Sequence, residues 1–172
     1  YGIKGFTLSM IEAAIEVTDG SIGVDEIDQI MASGRTMLEH PVDLLDGVDE
    51  TITDLAEAGY RLLMITKGDL HHQERKIAAS GLADRFERLE IVAEKDPLTY
   101  KRVIESTGVA PEAFCMVGNS VRSDVLPVLE VGGHAVHIPY HVTWAHEHAD
   151  HDGSVPTLTS ISELPAWLAD GA

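Results

Sequence analysis

A short apolar run in the middle of the sequence ends in an unusually polar turn. The run FCMV stops at Gly118, and the next residues, NSVRSD, bring an amide, two hydroxyls, a cation and a carboxylate. The side-chain oxygens of Asn119 and Asp124 are hard ligands of the kind that Mg²⁺ prefers. The turn therefore predicts a metal site.

Two earlier segments show the same change from apolar to polar residues. Thr66, Lys67 and Gly68 follow one apolar run, and Lys95 follows the next one along the chain. A threonine hydroxyl, an ammonium group and the backbone N–H groups of a tight loop can all donate hydrogen bonds to an oxyanion. Together with the proposed metal ligands, these residues predict a site for a phosphorylated small molecule.

Each of these residues also has an ordinary explanation when it is taken alone. Thr66 could cap the helix that follows it. Lys95 could be a solvated surface lysine, and Asp124 could stand in the exposed first turn of a helix, where a carboxylate is favourable. Their order along the chain and their shared position after apolar runs favour a common site.

The elements that must position these residues alternate between strand and helix. Apolar strands of about four to six residues separated by helices of about ten predict right-handed βαβ crossovers and a parallel sheet, an α/β Rossmann-like fold flanked by helices. The carboxyl ends of parallel strands lie along one edge, so the polar segments should converge there. The predicted strands are 60–65, 89–92, 114–117 and 135–138, with a short one at Leu158, and the predicted helices are 48–58, 69–79, 98–107, 123–131 and 161–168.

The first 40 residues differ from the rest of the chain. Apolar residues at helical spacing predict helices over 5–17 and 25–37, and no convincing strand is found between them. We therefore expect a small helical domain at 1–40 and an α/β core at 41–172.

Composition limits the classes of partner. A formal net charge of -17, from 29 acidic against 12 basic residues, argues against nucleic acid and against an anionic membrane as the main partner. It is compatible with a phosphorylated small molecule, because such a site needs only a few local cations. The single cysteine, Cys115, excludes an intramolecular disulfide and is typical of a reducing compartment, so we expect a cytoplasmic protein. The oligomeric state stays open, a homodimer included.

The ordered motifs resemble the haloacid dehalogenase (HAD) superfamily. Thr66 after a strand, Lys95 before a helix and VGNSVRSD after the next strand carry the resemblance, which extends over about residues 41–170 to the closing LTSISELPAWL. It implies that Thr66 binds the transferring phosphoryl group and that Lys95 neutralises the nucleophile and the phosphate. It also implies that Asn119 and Asp124 hold Mg²⁺. The supporting residues would be Ser120 and Ser123, the further substrate contacts Lys67 and Gly68, and the helical start a cap domain.

The sequence departs from the pattern of this family at two points. The family's nucleophile is an aspartate in an Asp-x-Asp motif on the first strand of the core, ahead of the cap, and the sequence as given begins at Tyr1 without it. Asn119 stands where an acid is common, so it would contribute no negative charge to the metal. We therefore expect a HAD-like core that lacks its first strand in this stretch of chain.

Three functions are compatible with these residues. The resemblance favours a Mg²⁺-dependent phosphatase that acts on a small phosphorylated metabolite through an aspartyl-phosphate. A 2-haloacid dehalogenase would use the same nucleophile without Mg²⁺, and a non-catalytic binding protein would share only the fold. Asp124 and the Thr66–Lys95 set favour the phosphatase. A separate hypothesis places zinc or nickel on His146, His148 and His151, although a loop without a fixed scaffold is a weak signal for a metal site.

The resemblance also makes a physical prediction about the sheet. The nucleophile strand would lie between strands 60–65 and 114–117, and an empty slot would leave buried backbone groups unpaired, at about 1–3 kcal/mol each. We expect the slot to be filled by a segment upstream of Tyr1, to be filled by another chain, or to be closed by direct pairing of the two flanking strands.

Overall fold

The computed structural model describes residues 2–141 and 155–170. The chain divides into two compact units, one formed by Tyr1–Asp43 with Gly68–Ala83 and the other by Leu44–Lys67 with Asp84–Ala172. The histidines at 146–151 lie outside the described residues, so a metal site there stays a prediction. Within the described residues, no helix combines the length and the apolar character needed to cross a membrane.

Helices and strands alternate from residue 48 onward, as the sequence predicts. The helices are α1 (Ile3–Val17), α2 (Val24–Glu39), α3 (Val48–Glu57), α4 (Leu70–Ser80), α5 (Pro97–Thr107), α6 (Leu126–Glu130) and α7 (Leu164–Ala169). The strands are β1 (Leu63–Lys67), β2 (Arg88–Val92), β3 (Cys115–Gly118) and β4 (His134–His137). A π-helical turn, Val121–Val125, separates β3 from α6.

The first unit consists of α1, α2 and α4. Helices α1 and α2 approach closely at Gly34, where an added Cβ atom would lie 2.4 Å from the Thr7 hydroxyl. Asp69 caps α4 by accepting a hydrogen bond from the backbone N–H of His72 at 3.0 Å, and Lys4 pairs with the same carboxylate at 3.1 Å. The hydrogen bond from Lys4, followed by the one from His72, lowers the pKa of Asp69. Asp69 is therefore a helix cap in this structure.

The second unit contains two pairs of parallel strands. Strand β1 pairs with β2, with Leu63 opposite Arg88, and β3 pairs with β4, with Cys115 opposite His134. These pairings confirm the predicted α/β fold with parallel strands. Direct pairing of β1 with β3, one of the three possibilities raised by the sequence, is not found among the described strands.

A cavity of about 660 Å³ lies between β1 and β3. Apolar side chains from both strands and from helices α3 and α7 line it, among them Leu55, Leu63, Ile65, Val117 and Leu164. We call this space the inter-strand cavity.

The backbone of β3 shows which groups face this cavity. Phe114 accepts a hydrogen bond from the backbone N–H of His134 at 2.8 Å, and Gly118 accepts one from that of Ile138 at 2.9 Å. Alternate residues of a parallel strand bond to the same neighbour, so Cys115 and Val117 turn their backbone N–H and C=O groups away from β4. Since both residues line the inter-strand cavity, the edge of β3 opposite β4, which no described strand pairs with, faces it.

The observed boundaries correct three sequence predictions. The strand predicted at 60–65 begins at Leu63, because the backbone N–H of Tyr60 closes helix α3 by bonding to Leu55 at 3.0 Å. The helix predicted at 123–131 begins as the π-helical turn and becomes α-helical only at Leu126. The strand predicted at Leu158 is reduced to an isolated bridge between His137 and Thr157.

Candidate functional site

The carboxyl end of β1 carries Thr66 and Lys67. Both residues lie within the strand, opposite Ile91 and Val92 of β2, whereas the sequence placed them after it. The Lys67 ammonium lies 3.6 Å from the carboxylate of Glu94, which follows β2. The Thr66 hydroxyl and the Lys67 ammonium are therefore at the carboxyl end of β1, beside the end of β2, and Lys95 follows β2 in the chain. Gly68 begins the segment that belongs to the first unit.

Lys95 and Asp124 form a buried ion pair. The Lys95 Nζ atom donates to Asp124 Oδ1 at 2.7 Å, and their side chains are only 13% and 5% exposed. Lys95 follows β2 and Asp124 follows β3, so the carboxyl ends of the two strand pairs meet here. The structure therefore excludes the solvated lysine and the exposed helix-start carboxylate that the sequence left open.

The π-helical turn fixes the second oxygen of the Asp124 carboxylate. The backbone N–H of Ser120 donates to Asp124 Oδ2 at 3.0 Å, while the Ser120 hydroxyl accepts from the backbone N–H of Ser123 at 3.1 Å. Ser120, Ser123 and Asp124 are all buried. The structure therefore brings both serines together with Lys95 and Asp124, and their supporting role stays a prediction.

Gly118 is a residue of this site that the sequence analysis did not single out. An added Cβ atom would lie 2.3 Å from Asp124 Oδ2 and 2.5 Å from Asp124 Cβ. The carboxylate cannot move aside freely, because Lys95 and Ser120 hold its two oxygens. The only signal in the sequence is the position of a glycine directly after the apolar run.

We expect Gly118→Ala to lower the free energy of unfolding by about 1–3 kcal/mol, the usual cost of overpacking. The added methyl group must displace the Asp124 side chain or the strand end. Urea denaturation measures the change. Gly5→Ala in α1 is a matched control, because nothing lies within 4 Å of its added Cβ atom, and it should be neutral or stabilising. Equal stability of Gly118→Ala and the parent protein would contradict the packing described here.

The residues around Asp124 offer oxygen ligands of the kind that Mg²⁺ takes in proteins. Within the described ranges no three His, Cys, Asp or Glu residues are grouped to hold a metal ion, whereas Mg²⁺ is commonly bound by one or two carboxylates with water and substrate oxygens. A carboxylate has about four acceptor positions, and Lys95 and the Ser120 N–H use two of those on Asp124. Asn119, exposed at the end of β3, adds an amide oxygen nearby in the chain. The donor set therefore fits the predicted cofactor.

Comparison with known proteins identifies similar hydrolases. The sequence profile of haloacid dehalogenase-like hydrolases matches residues 3–132. A haloacid dehalogenase-like family hydrolase from Xanthomonas campestris has a solved structure that is 45% identical, with a TM-score of 0.89, over 99% of this chain and 73% of that one.

Phosphatases are among the curated relatives. The glyceraldehyde 3-phosphate phosphatase of Methanothermobacter thermautotrophicus is 29% identical over 125 residues, 69% of this chain and 55% of that protein. The N-acylneuraminate-9-phosphatase of Mus musculus is 29% identical over 147 residues, 77% of this chain and 54% of that protein. The chain thus spans about half the length of these two relatives.

Proposed function

The chain belongs to the haloacid dehalogenase-like hydrolases, and on that premise we propose that it supplies the phosphate-binding and metal-binding residues of a Mg²⁺-dependent phosphatase. The substrate in this proposal is a small phosphorylated metabolite. The observation that carries the proposal is the buried Lys95–Asp124 pair at 2.7 Å, where the ends of β2 and β3 meet. Phosphatases among the relatives support the same choice of activity.

The proposal assigns each residue a role that its chemistry allows. Thr66 donates a hydrogen bond to the transferring phosphoryl group, and Lys95 offsets the charge that collects between nucleophile and phosphate. Lys67 and Gly68 contact the substrate at the end of β1. Asp124 and Asn119 hold Mg²⁺, which, when bound, offsets negative charge on the phosphoryl oxygens. Hydrogen bonds of Ser120 and Ser123 stabilise the turn.

We place the nucleophilic aspartate on a strand that fills the inter-strand cavity. The edge of β3 opposite β4 faces this space, and apolar side chains of β1, β3, α3 and α7 line it. An extended apolar segment would pair its backbone with that edge and bring its carboxyl end beside Lys95 and Asp124.

We also propose that 1–40 forms part of a cap domain and that 41–172 forms the core.

The proposed reaction has two balanced steps. The aspartate carboxylate attacks phosphorus, the bond from phosphorus to the ester oxygen breaks, and an aspartyl-phosphate forms while the ester oxygen takes a proton from solvent water and leaves as the alcohol. Water then attacks the aspartyl-phosphate, which releases inorganic phosphate and restores the carboxylate. Throughout, Lys95 remains bonded to Asp124, so its charge is already in place and no side chain must reorganise to supply it.

We call the protein with its nucleophile strand in place the active protein. We expect it to hydrolyse p-nitrophenyl phosphate with Mg²⁺ and to lose this activity when the metal is chelated. Release of nitrophenolate, measured with and without EDTA, tests the prediction. A parallel assay of chloride release from 2-chloropropionate separates the alternatives. Chloride release that is insensitive to EDTA would identify a dehalogenase, and no turnover of either compound would favour the non-catalytic binding protein.

A further inference from the structure

Helix α5 and the segment just ahead of it contact the Asp124-bearing turn at two points. Lys95, just ahead of the helix, bonds to the Asp124 carboxylate. One turn into the helix, the Tyr100 hydroxyl donates to the backbone oxygen of Ser123 at 3.0 Å. The two hydrogen bonds therefore end on adjacent residues of the same π-helical turn. Asp96 fixes the start of α5 between them by accepting from the backbone N–H of Thr99 at 2.7 Å.

The backbone oxygen of Ser123 has no α-helical hydrogen-bond donor. In a regular α-helix this oxygen would accept from the residue four positions on, which is Pro127 and has no N–H group. The Tyr100 hydroxyl donates to this oxygen from another element instead. A five-residue turn that departs from α-helical bonding thereby gains a rigid contact next to its carboxylate.

The surroundings of Tyr100 favour this contact. Its side chain is fully buried in the core cluster that also contains Val103, Ile104 and Phe114. Burial, together with the negative charge of Asp124, raises the pKa of the Tyr100 hydroxyl. Since an ordinary tyrosine is already protonated at neutral pH, the hydroxyl can donate this hydrogen bond there.

We propose that Tyr100 is a positioning residue whose hydroxyl holds the Val121–Val125 turn so that the Asp124 carboxylate meets Lys95. It touches neither the substrate nor the metal in the proposed reaction, and its importance for catalysis rests on the proposed function. A purely structural tyrosine would fill the core through its ring alone, and phenylalanine would then replace it without effect on the turn.

Hydrogen exchange of Tyr100→Phe tests the proposal without any metal. The backbone N–H groups of Asp124 and Val125 both bond to Ser120, at 2.8 and 3.3 Å. We expect these two amides to exchange at least about tenfold faster in the variant, relative to the amide of Ile104 in the core, because a loosened turn opens locally. Unchanged relative exchange of these amides would overturn the proposal.

Val103→Ala provides the matched control. Val103 lies in the same helix and the same core cluster, so its truncation lowers global stability by leaving a cavity. It should accelerate all core amides together and leave the ratio between the turn and Ile104 unchanged. A selective acceleration of the turn in Val103→Ala as well would overturn the proposal, because core packing alone would then explain the effect.

The Mg²⁺ dependence of phosphatase activity tests the positioning role of Tyr100 and the proposed function separately. In Tyr100→Phe we expect the Mg²⁺ concentration for half-maximal activity to rise at least about fivefold, with no such rise in Val103→Ala, because a mobile Asp124 is a weaker ligand. A faster-exchanging turn in a protein whose parent shows no Mg²⁺-dependent activity would support the positioning role and overturn the proposed function. A faster-exchanging turn with an unchanged Mg²⁺ requirement would overturn the link between Tyr100 and the metal.

Discussion

We expect Asp124→Ala to lower the proposed Mg²⁺-dependent phosphatase activity by about 10²–10³-fold, the range found when one preorganised hydrogen-bond donor is removed from an active site. The variant loses a proposed metal ligand and also leaves the Lys95 ammonium without its partner. Turnover of p-nitrophenyl phosphate at saturating Mg²⁺ measures the effect. Unchanged turnover would remove Asp124 from the site.

We also expect the same substitution to destabilise the protein. The Asp124 and Lys95 side chains are 5% and 13% exposed, and removal of one partner of a buried pair costs about 3–5 kcal/mol because the other charge stays buried. An exposed helix-start carboxylate, the alternative that the sequence allowed, would cost only about 0.3–1 kcal/mol. Urea denaturation therefore distinguishes the buried pair from the exposed residue.

A double variant separates stability from catalysis. In Lys95→Met with Asp124→Leu both charges are replaced by apolar groups, and such replacement is often neutral or stabilising. We expect the double variant to regain most of the stability lost in Asp124→Ala and to remain inactive. Activity recovered along with stability would show that Asp124 acts only through the fold.

Asp49→Ala is the surface control for this series. Asp49 pairs with Arg85 at 3.2 Å, and both side chains are more than two-fifths exposed. Loss of an exposed pair costs about 0–1 kcal/mol. This variant should therefore keep both its stability and its activity.

The sequence predicted the fold well because its main signals are local. Strand length, helical periodicity and polar strand ends are all read within short windows, and they gave the alternation of elements and the parallel strands. The start of β1 was wrong by three residues, because Tyr60 looks like part of an apolar strand although its N–H closes helix α3. Bonding at a helix end is decided by backbone geometry that apolar patterning does not encode.

The site was predicted only in part because its decisive contacts are long-range. Lys95 and Asp124 are 29 positions apart, so the sequence cannot tell a buried pair from two surface charges. Tyr100 belongs to an apolar helical stripe, where a hydrogen-bonding tyrosine and a simple core residue look alike. The convergence of Thr66 and Asn119 with the buried pair stays a prediction.

The largest structural effect is expected at the inter-strand cavity. In the active protein we expect the backbone amides of Cys115 and Val117 to exchange at least about a hundredfold more slowly than unprotected amides, because a strand paired with this edge of β3 opens only with the core. In the 172-residue chain alone, the same amides should exchange fast. An unpaired buried backbone group costs about 1–3 kcal/mol, so the chain alone should also unfold at lower urea concentration.

Met116 is the internal control within the same strand. It lies opposite Ala135 in the β3–β4 pairing, and the alternation of backbone direction turns its N–H group toward β4. Its amide should be protected both in the active protein and in the 172-residue chain. Slow exchange at Met116 with fast exchange at Cys115 and Val117 in the active protein would mean that no strand fills the cavity. The nucleophile would then have to reach Lys95 and Asp124 from another element, and the proposed mechanism would fail at its first step.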